Sequence, residues 1–188
     1  GGPWSPERKL VTGVGYDDAI DAYLGAPEHM LHKEYSGMAE LGGCAFFSEP
    51  GVLARQEGIY MSLLCARASS HKIVLLRWNH EMTTVEYLGD ALVDADAAAF
   101  QEDGEVFEGF SASELVETAQ AVYLMVTPWV APPQAYRGCL AFRVADLATA
   151  TVERKDGAPV LVERVTGVPG SFHGACGWDE AATASGIL

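Results

Sequence analysis

The sequence predicts an all-β fold assembled from four-stranded antiparallel units. Three observations carry that expectation. Short runs rich in Val, Ile, Leu, Tyr and Phe are bounded by Gly, Pro and Asp; helical periodicity is scarce; and several landmarks recur at a nearly constant offset of about 63 residues. With 20 Gly and 9 Pro in 188 residues, the chain has the turn density such a fold needs.

Taken in order, Trp4 to Val11 reads as an outer strand, and Thr12 to Gly43 as a Gly-rich connection in which Asp17 to Leu24 has the pattern of two helical turns. Phe47-Ser48-Glu49 opens the next unit, followed by strand-type runs at Gly58–Cys65, Lys72–Trp78 and Val85–Leu88. Asp94 to Phe100, rich in alanine, fits one short helix. Phe110-Ser111-Ala112 then opens a second unit, with strand runs at Ala121–Val126, Cys139–Val144 and Pro159–Val162.

The repeat is read from landmarks. Tyr60 and Tyr123 stand 63 residues apart, "IVLLRW" and "CLAFRV" 66 apart, and Phe47, Phe110 and Phe172 recur at 63 and then 62. Four short strands per unit of about sixty residues is the layout of a β-propeller blade with long connections. The expected division is 1–46 as the end of a preceding blade plus connection, 47–109 and 110–171 as full blades, and 172–188 as the start of a further one. Three units do not close a ring of four to eight blades. The sequence therefore leads us to expect that residues on the N-terminal side are missing or supplied by a second chain. The alternative all-β reading is a closed barrel of lipocalin type, which suits the length but not the longer period.

Composition removes several functions. The 12 Lys+Arg against 26 Asp+Glu, a net charge of −14, argue against nucleic acid and against an anionic membrane surface. No stretch has the roughly 20 apolar residues of a membrane span. The start, Gly1-Gly2-Pro3-Trp4, has neither a basic nor an apolar leader segment, so a secretory signal is expected to be absent or already removed. Cys44, Cys65, Cys139 and Cys176 show no paired metal or redox spacing. Cys65 and Cys139, inside apolar runs, read as small core residues, with one disulfide left open. His29 and His32 beside Glu28 and Glu34 lack a further ligand at metal-site spacing, and Gly13-Val14-Gly15 is not a dinucleotide fingerprint, so neither metal nor cofactor is expected.

Three segments carry a family resemblance: "FFSEPGVLARQEGIYMSLLC" with "KIVLLRW", "FSASELVETAQAVYLMVTP" with "YRGCLAFRVADL", and the final "GSFHGACGWDEAATASGIL". Together they resemble the C-terminal three blades of five-bladed β-propeller glycosidases of the arabinofuranosidase, xylosidase and invertase type. The resemblance implies a carbohydrate ligand in an axial pocket, a Glu general acid before a Pro, and two Asp residues on blades outside this chain. Glu49, directly before Pro50, matches that acid, and an extracellular or periplasmic setting is slightly favoured.

The chemistry is consistent with that implication, since glycoside hydrolysis needs two carboxyl groups flanking the bond. Equivalent first-strand positions of a radial repeat converge on its axis, which makes Ser48, Ser111 and His173 the expected ring of substrate contacts. Asp179 adds a carboxylate near the last opening, while Glu114 and Glu117 read as solvated loop residues. Trp129 and Tyr136 flank the loop "WVAPPQAY", where a Trp face can stack on the apolar side of a sugar ring. The other readings are a non-catalytic domain binding sugar or protein, and a lipocalin-like small-ligand carrier.

Overall fold

Period-2 alternation of apolar residues, with both sets buried, organises the chain into sheets. The computed structural model describes residues 16–17, 22–23, 38–41, 44, 46–67, 70–130 and 135–165. A first hairpin pairs β1 (Tyr16–Asp17) with β2 (Ala22–Tyr23), Tyr16 opposite Tyr23. Of the helical turns expected between Asp17 and Leu24, Asp17, Ala22 and Tyr23 are extended instead, as Tyr favours, and the other positions lie outside the described residues.

The first sheet runs in chain order: β3 (Phe46–Arg55), β4 (Gly58–Ala66), β5 (His71–Trp78) and β6 (Val85–Val93), all antiparallel. A single turn of helix, α1 (Asp94–Ala97), and a small hairpin of β7 (Gln101–Glu102) and β8 (Glu105–Val106) lead to the second sheet. There β9 (Gly109–Glu117) pairs with β10 (Val122–Val130), and β10 pairs with β12 (Cys139–Asp146). The short β11 (Ala135–Tyr136) joins the end of β10, while β13 (Thr151–Val152) and β16 (Leu161–Val165) both pair with β12. Between those two, β14 (Arg154–Lys155) and β15 (Ala158–Pro159) form a hairpin. The fold is all-β, in antiparallel sheets of blade layout. Among the described residues no sheet closes on itself, which removes the lipocalin-type barrel.

The 63-residue offset reappears in the hydrogen-bond register. Leu53 pairs with Tyr60 and Val116 with Tyr123, Gly51 with Ser62 and Glu114 with Met125, Ser48 with Leu64 and Ser111 with Thr127. Tyr60 faces Arg77 across the next ladder, and Tyr123 faces Arg143. Each arginine ends against a glutamate farther along its sheet, Arg77 with Glu86 and Arg143 with Glu153. The register slips by one residue at the same place in both sheets, between Ser48 and Gly51 on β3 and beside Ala112 on β9. Both bulges use left-handed backbone, Glu49 at φ 54° and Ala112 at φ 38°.

Packing is layered. Tyr60, Leu64, Ile73 and Leu75 from the first sheet meet Phe110, Leu115, Leu124, Leu140 and Phe142 from the second in the main core. The alternate residues Met61, Leu63, Cys65, Val74, Leu76 and Trp78 bury the opposite face of the first sheet, together with Leu41 and Cys44. Because both faces are covered, the middles of β4 and β5 read as mainly apolar runs instead of an apolar–polar alternation. Cys65 is not a free core thiol: it is bonded to Cys44, Cα atoms 5.3 Å apart, and Cys139 is also disulfide-bonded. Close approach of the two innermost strands is set by Gly51, where a Cβ would lie 2.4 Å from Glu114 Cα. Farther along the same seam, Arg55 of β3 forms an ion pair with Glu117 of β9.

Candidate functional site

The bulge on β3 turns the Glu49 side chain across the seam between the sheets. Its Oε2 accepts the Ser111 hydroxyl at 2.6 Å and the Ala112 N–H at 2.7 Å. Both donors belong to the corresponding bulge of β9, so each inner strand's irregularity completes the other's. Two donors on one oxygen fix the carboxylate and leave Oε1 available to a further partner.

Beside this contact lies a pocket of about 180 Å³ lined by Ser48, Glu49, Leu64, His71, Phe110, Ser111, Trp129 and Tyr136. Ser48, Glu49 and Ser111 come from the two inner strands. Trp129 and Tyr136 arrive as an antiparallel pair where β10 meets β11. Leu64 and Phe110 are buried and form the apolar floor. Trp129 is only 9% exposed, and a glycine at 109 makes room for it: a Cβ there would lie 2.7 Å from the indole. The lining thus combines a held carboxylate, the Ser48 and Ser111 hydroxyls, an imidazole and the rings of Phe110, Trp129 and Tyr136.

Five of the residues singled out from the sequence, Ser48, Glu49, Ser111, Trp129 and Tyr136, are brought together here. His173 and Asp179 lie outside the described residues, as do Trp4 to Val11 and the final segment. Glu114 and Glu117 are not loop residues but stand on β9, with Glu117 ion-paired to Arg55. Sequence reasoning missed His71. A single histidine opening a strand carries no spacing signal, and only the topology sets it against Trp129, ring centroids 5.4 Å apart and nearly perpendicular. No group of three or more His, Cys, Asp or Glu side chains among the described residues could hold a metal ion.

Fold and pocket together define a β-sheet protein of propeller-blade layout with a polar, aromatic-lined pocket. No family model matches the chain, and no curated protein does. Among solved structures, it is similar to an exo-1,5-α-L-arabinanase from a bovine ruminal metagenomic library, with a TM-score of 0.35 and 14% identity over 78% of this chain and 48% of that one. The chain therefore spans about half the length of that structure.

Proposed function

We propose that the pocket binds a carbohydrate in a glycosidase-like β domain, with Glu49 as its orienting carboxylate and as the proton donor where hydrolysis occurs. The observation that carries this reading is the juxtaposition of the held Glu49 carboxylate with the Trp129 and Tyr136 rings in one pocket. Sugars present an apolar C–H face to an aromatic ring and a rim of hydroxyls to carboxylates and hydroxyl groups. Ser48 and Ser111 are substrate contacts in this proposal, and His173 and Asp179 join them on the strength of the repeat spacing alone. Glu49 is the sole carboxylate among the lining residues described. Hydrolysis needs a second one, which would come from beyond the described residues, in this chain or in a partner. The Cys44–Cys65 disulfide supports an extracellular or periplasmic setting.

The second reading, binding without turnover, is favoured by that same lone carboxylate. One experiment separates the two. Arabino-, xylo- and fructo-oligosaccharides are titrated by calorimetry into the parent, Trp129→Ala and Glu49→Gln, and the corresponding aryl glycosides are assayed for release. Binding in the parent that is lost in Trp129→Ala supports a carbohydrate site. Turnover lost in Glu49→Gln supports the proton donor, whereas turnover unchanged in that variant removes Glu49 from the chemistry. If no saccharide binds, the carbohydrate reading fails.

A further inference from the structure

Behind the pocket wall, His71 and Asp94 form a pair that the Glu49 chemistry does not use. Asp94 Oδ2 accepts the His71 backbone N–H at 2.7 Å and lies 3.5 Å from Nδ1 of the same residue's ring. The carboxylate is therefore anchored to the residue whose ring it faces. His71 Nδ1 and Asp94 Oδ1 are both buried atoms without a hydrogen-bond partner among the described residues. Such groups are seldom left unmade in a folded interior. Room on the far side is closed, because a Cβ at Gly109 would lie 2.5 Å from Asp94 Oδ1 and 2.7 Å from the Trp129 ring. Trp129 packs edge-on against the imidazole. The ring is held between the indole and the carboxylate while it lines the pocket.

We propose that Asp94 positions His71 as the tautomer protonated at Nδ1, leaving Nε2 as a hydrogen-bond acceptor for a ligand hydroxyl in the pocket. A carboxylate beside one ring nitrogen selects the proton's place on that nitrogen and frees the other. In water the neutral imidazole favours the opposite tautomer, so the assignment is specific. Glu49 and His71 both line the pocket, so Glu49 Oε1 and His71 Nε2 would together offer a ligand two acceptors. That pattern matches a ligand with at least two hydroxyl donors, such as a polyol or sugar ring, and not an anion. The ligand contact rests on the carbohydrate reading above; the tautomer does not.

The test is long-range proton–nitrogen correlation NMR on the uniformly ¹⁵N-labelled chain, at a pH where the imidazole is neutral. His71 is assigned by the signals missing in His71→Gln. The expected pattern is protonation at Nδ1 in the parent and a shift toward the Nε2-protonated form in Asp94→Asn, whose spectrum elsewhere reports an intact fold. An Nε2-protonated parent, or a tautomer indifferent to Asp94→Asn, overturns the proposal. Xylo- and arabino-oligosaccharides are then titrated. A move of the His71 Nε2 resonance, with affinity reduced about tenfold in His71→Ala, the loss of roughly one hydrogen bond, supports the ligand contact. The expected tautomer with no saccharide perturbing either His71 or Trp129 overturns the ligand contact and the carbohydrate reading, while the positioning by Asp94 stands.

Discussion

Glu49 and Ala112 occupy the same bulge on successive inner strands, 63 residues apart, and the second donates its N–H to the carboxylate of the first at 2.7 Å. The repeat is therefore a contact as well as a symmetry: a position binds its own counterpart in the next sheet. The counterparts have diverged in chemistry, since only the first carries an acid, while both keep left-handed backbone.

That backbone gives a first prediction. A left-handed L-residue is strained, and glycine relieves the strain at some cost in unfolded-chain entropy. Ala112→Gly is expected to raise stability by roughly 1 kcal/mol, seen as a higher midpoint in denaturant. The N–H to Glu49 is kept in this variant, so ligand affinity should be unchanged. A lower midpoint would show that the methyl group matters more than the backbone.

Gly51 behaves in the opposite way. A Cβ would meet backbone atoms of Glu114 and Ser113 at 2.4 and 2.6 Å, and backbone cannot rotate aside as a side chain can. Gly51→Ala should push the inner strands apart and destabilise the fold by about 1–3 kcal/mol or more. Thermal unfolding measures this, and a melting temperature equal to the parent's would contradict the close approach of the two sheets.

Asp96 ties three segments together. It is buried at 8% exposure, accepts the Val93 N–H at 3.0 Å, and receives Arg154 at 2.6 and 2.9 Å on its two oxygens. The hydrogen bond to Asp96 is also the main cause of the raised pKa of Arg154, which stays charged. Arg154→Met leaves a buried carboxylate unmatched and should cost roughly 1.5–3 kcal/mol, the range for hydrogen bonds to a charged group. In a double-mutant cycle with Asp96→Asn the two losses should fall short of additive. Strict additivity would mean that the two residues act independently.

Tyr87 supplies a pH signature. Burial first, and then its hydrogen bond to Asp90, hold the phenol well above the ordinary tyrosine range. The folded state thus keeps a proton that the unfolded chain releases near pH 10. Stability from this group is complete below that pH and declines as the pH rises through and beyond it, toward the folded value. Alkaline unfolding curves of Tyr87→Phe should be flatter there than the parent's. Phenolate absorbance should show one tyrosine titrating late in the parent and missing from the variant.

Much of the sheet architecture is legible in the sequence because its strands are buried on both faces. Gly58–Cys65 and Lys72–Trp78 are mainly apolar runs whose extents nearly equal β4 and β5. Phe46–Arg55 is harder to read, since Ser48, Glu49 and Pro50 interrupt its pattern where the bulge forms. At Asp17, Ala22 and Tyr23 the helical spacing misleads, because the pairing of Asp17 with Ala22 is not visible in the sequence. In the pocket, Glu49 and Trp129 stand out by chemical type and neighbouring prolines. His71 does not, because its meaning depends on Asp94 and Trp129, which reach it only through tertiary packing. Disulfide pairing was equally hidden: Cys44 and Cys65 are 21 residues apart with no diagnostic spacing.

That disulfide also decides where this protein can be divided. Phe46 begins the first sheet, so a boundary drawn there by secondary structure looks natural. A version starting at Phe46 would nevertheless leave the Cys65 sulfur, wholly buried in the layer it shares with Trp78 and Leu76, as a thiol with nothing to bond. Such a thiol becomes available whenever the layer opens, and two truncated molecules could then cross-link. The sheet begins at residue 46, but a stretch that keeps the Cys65 sulfur paired begins no later than Cys44.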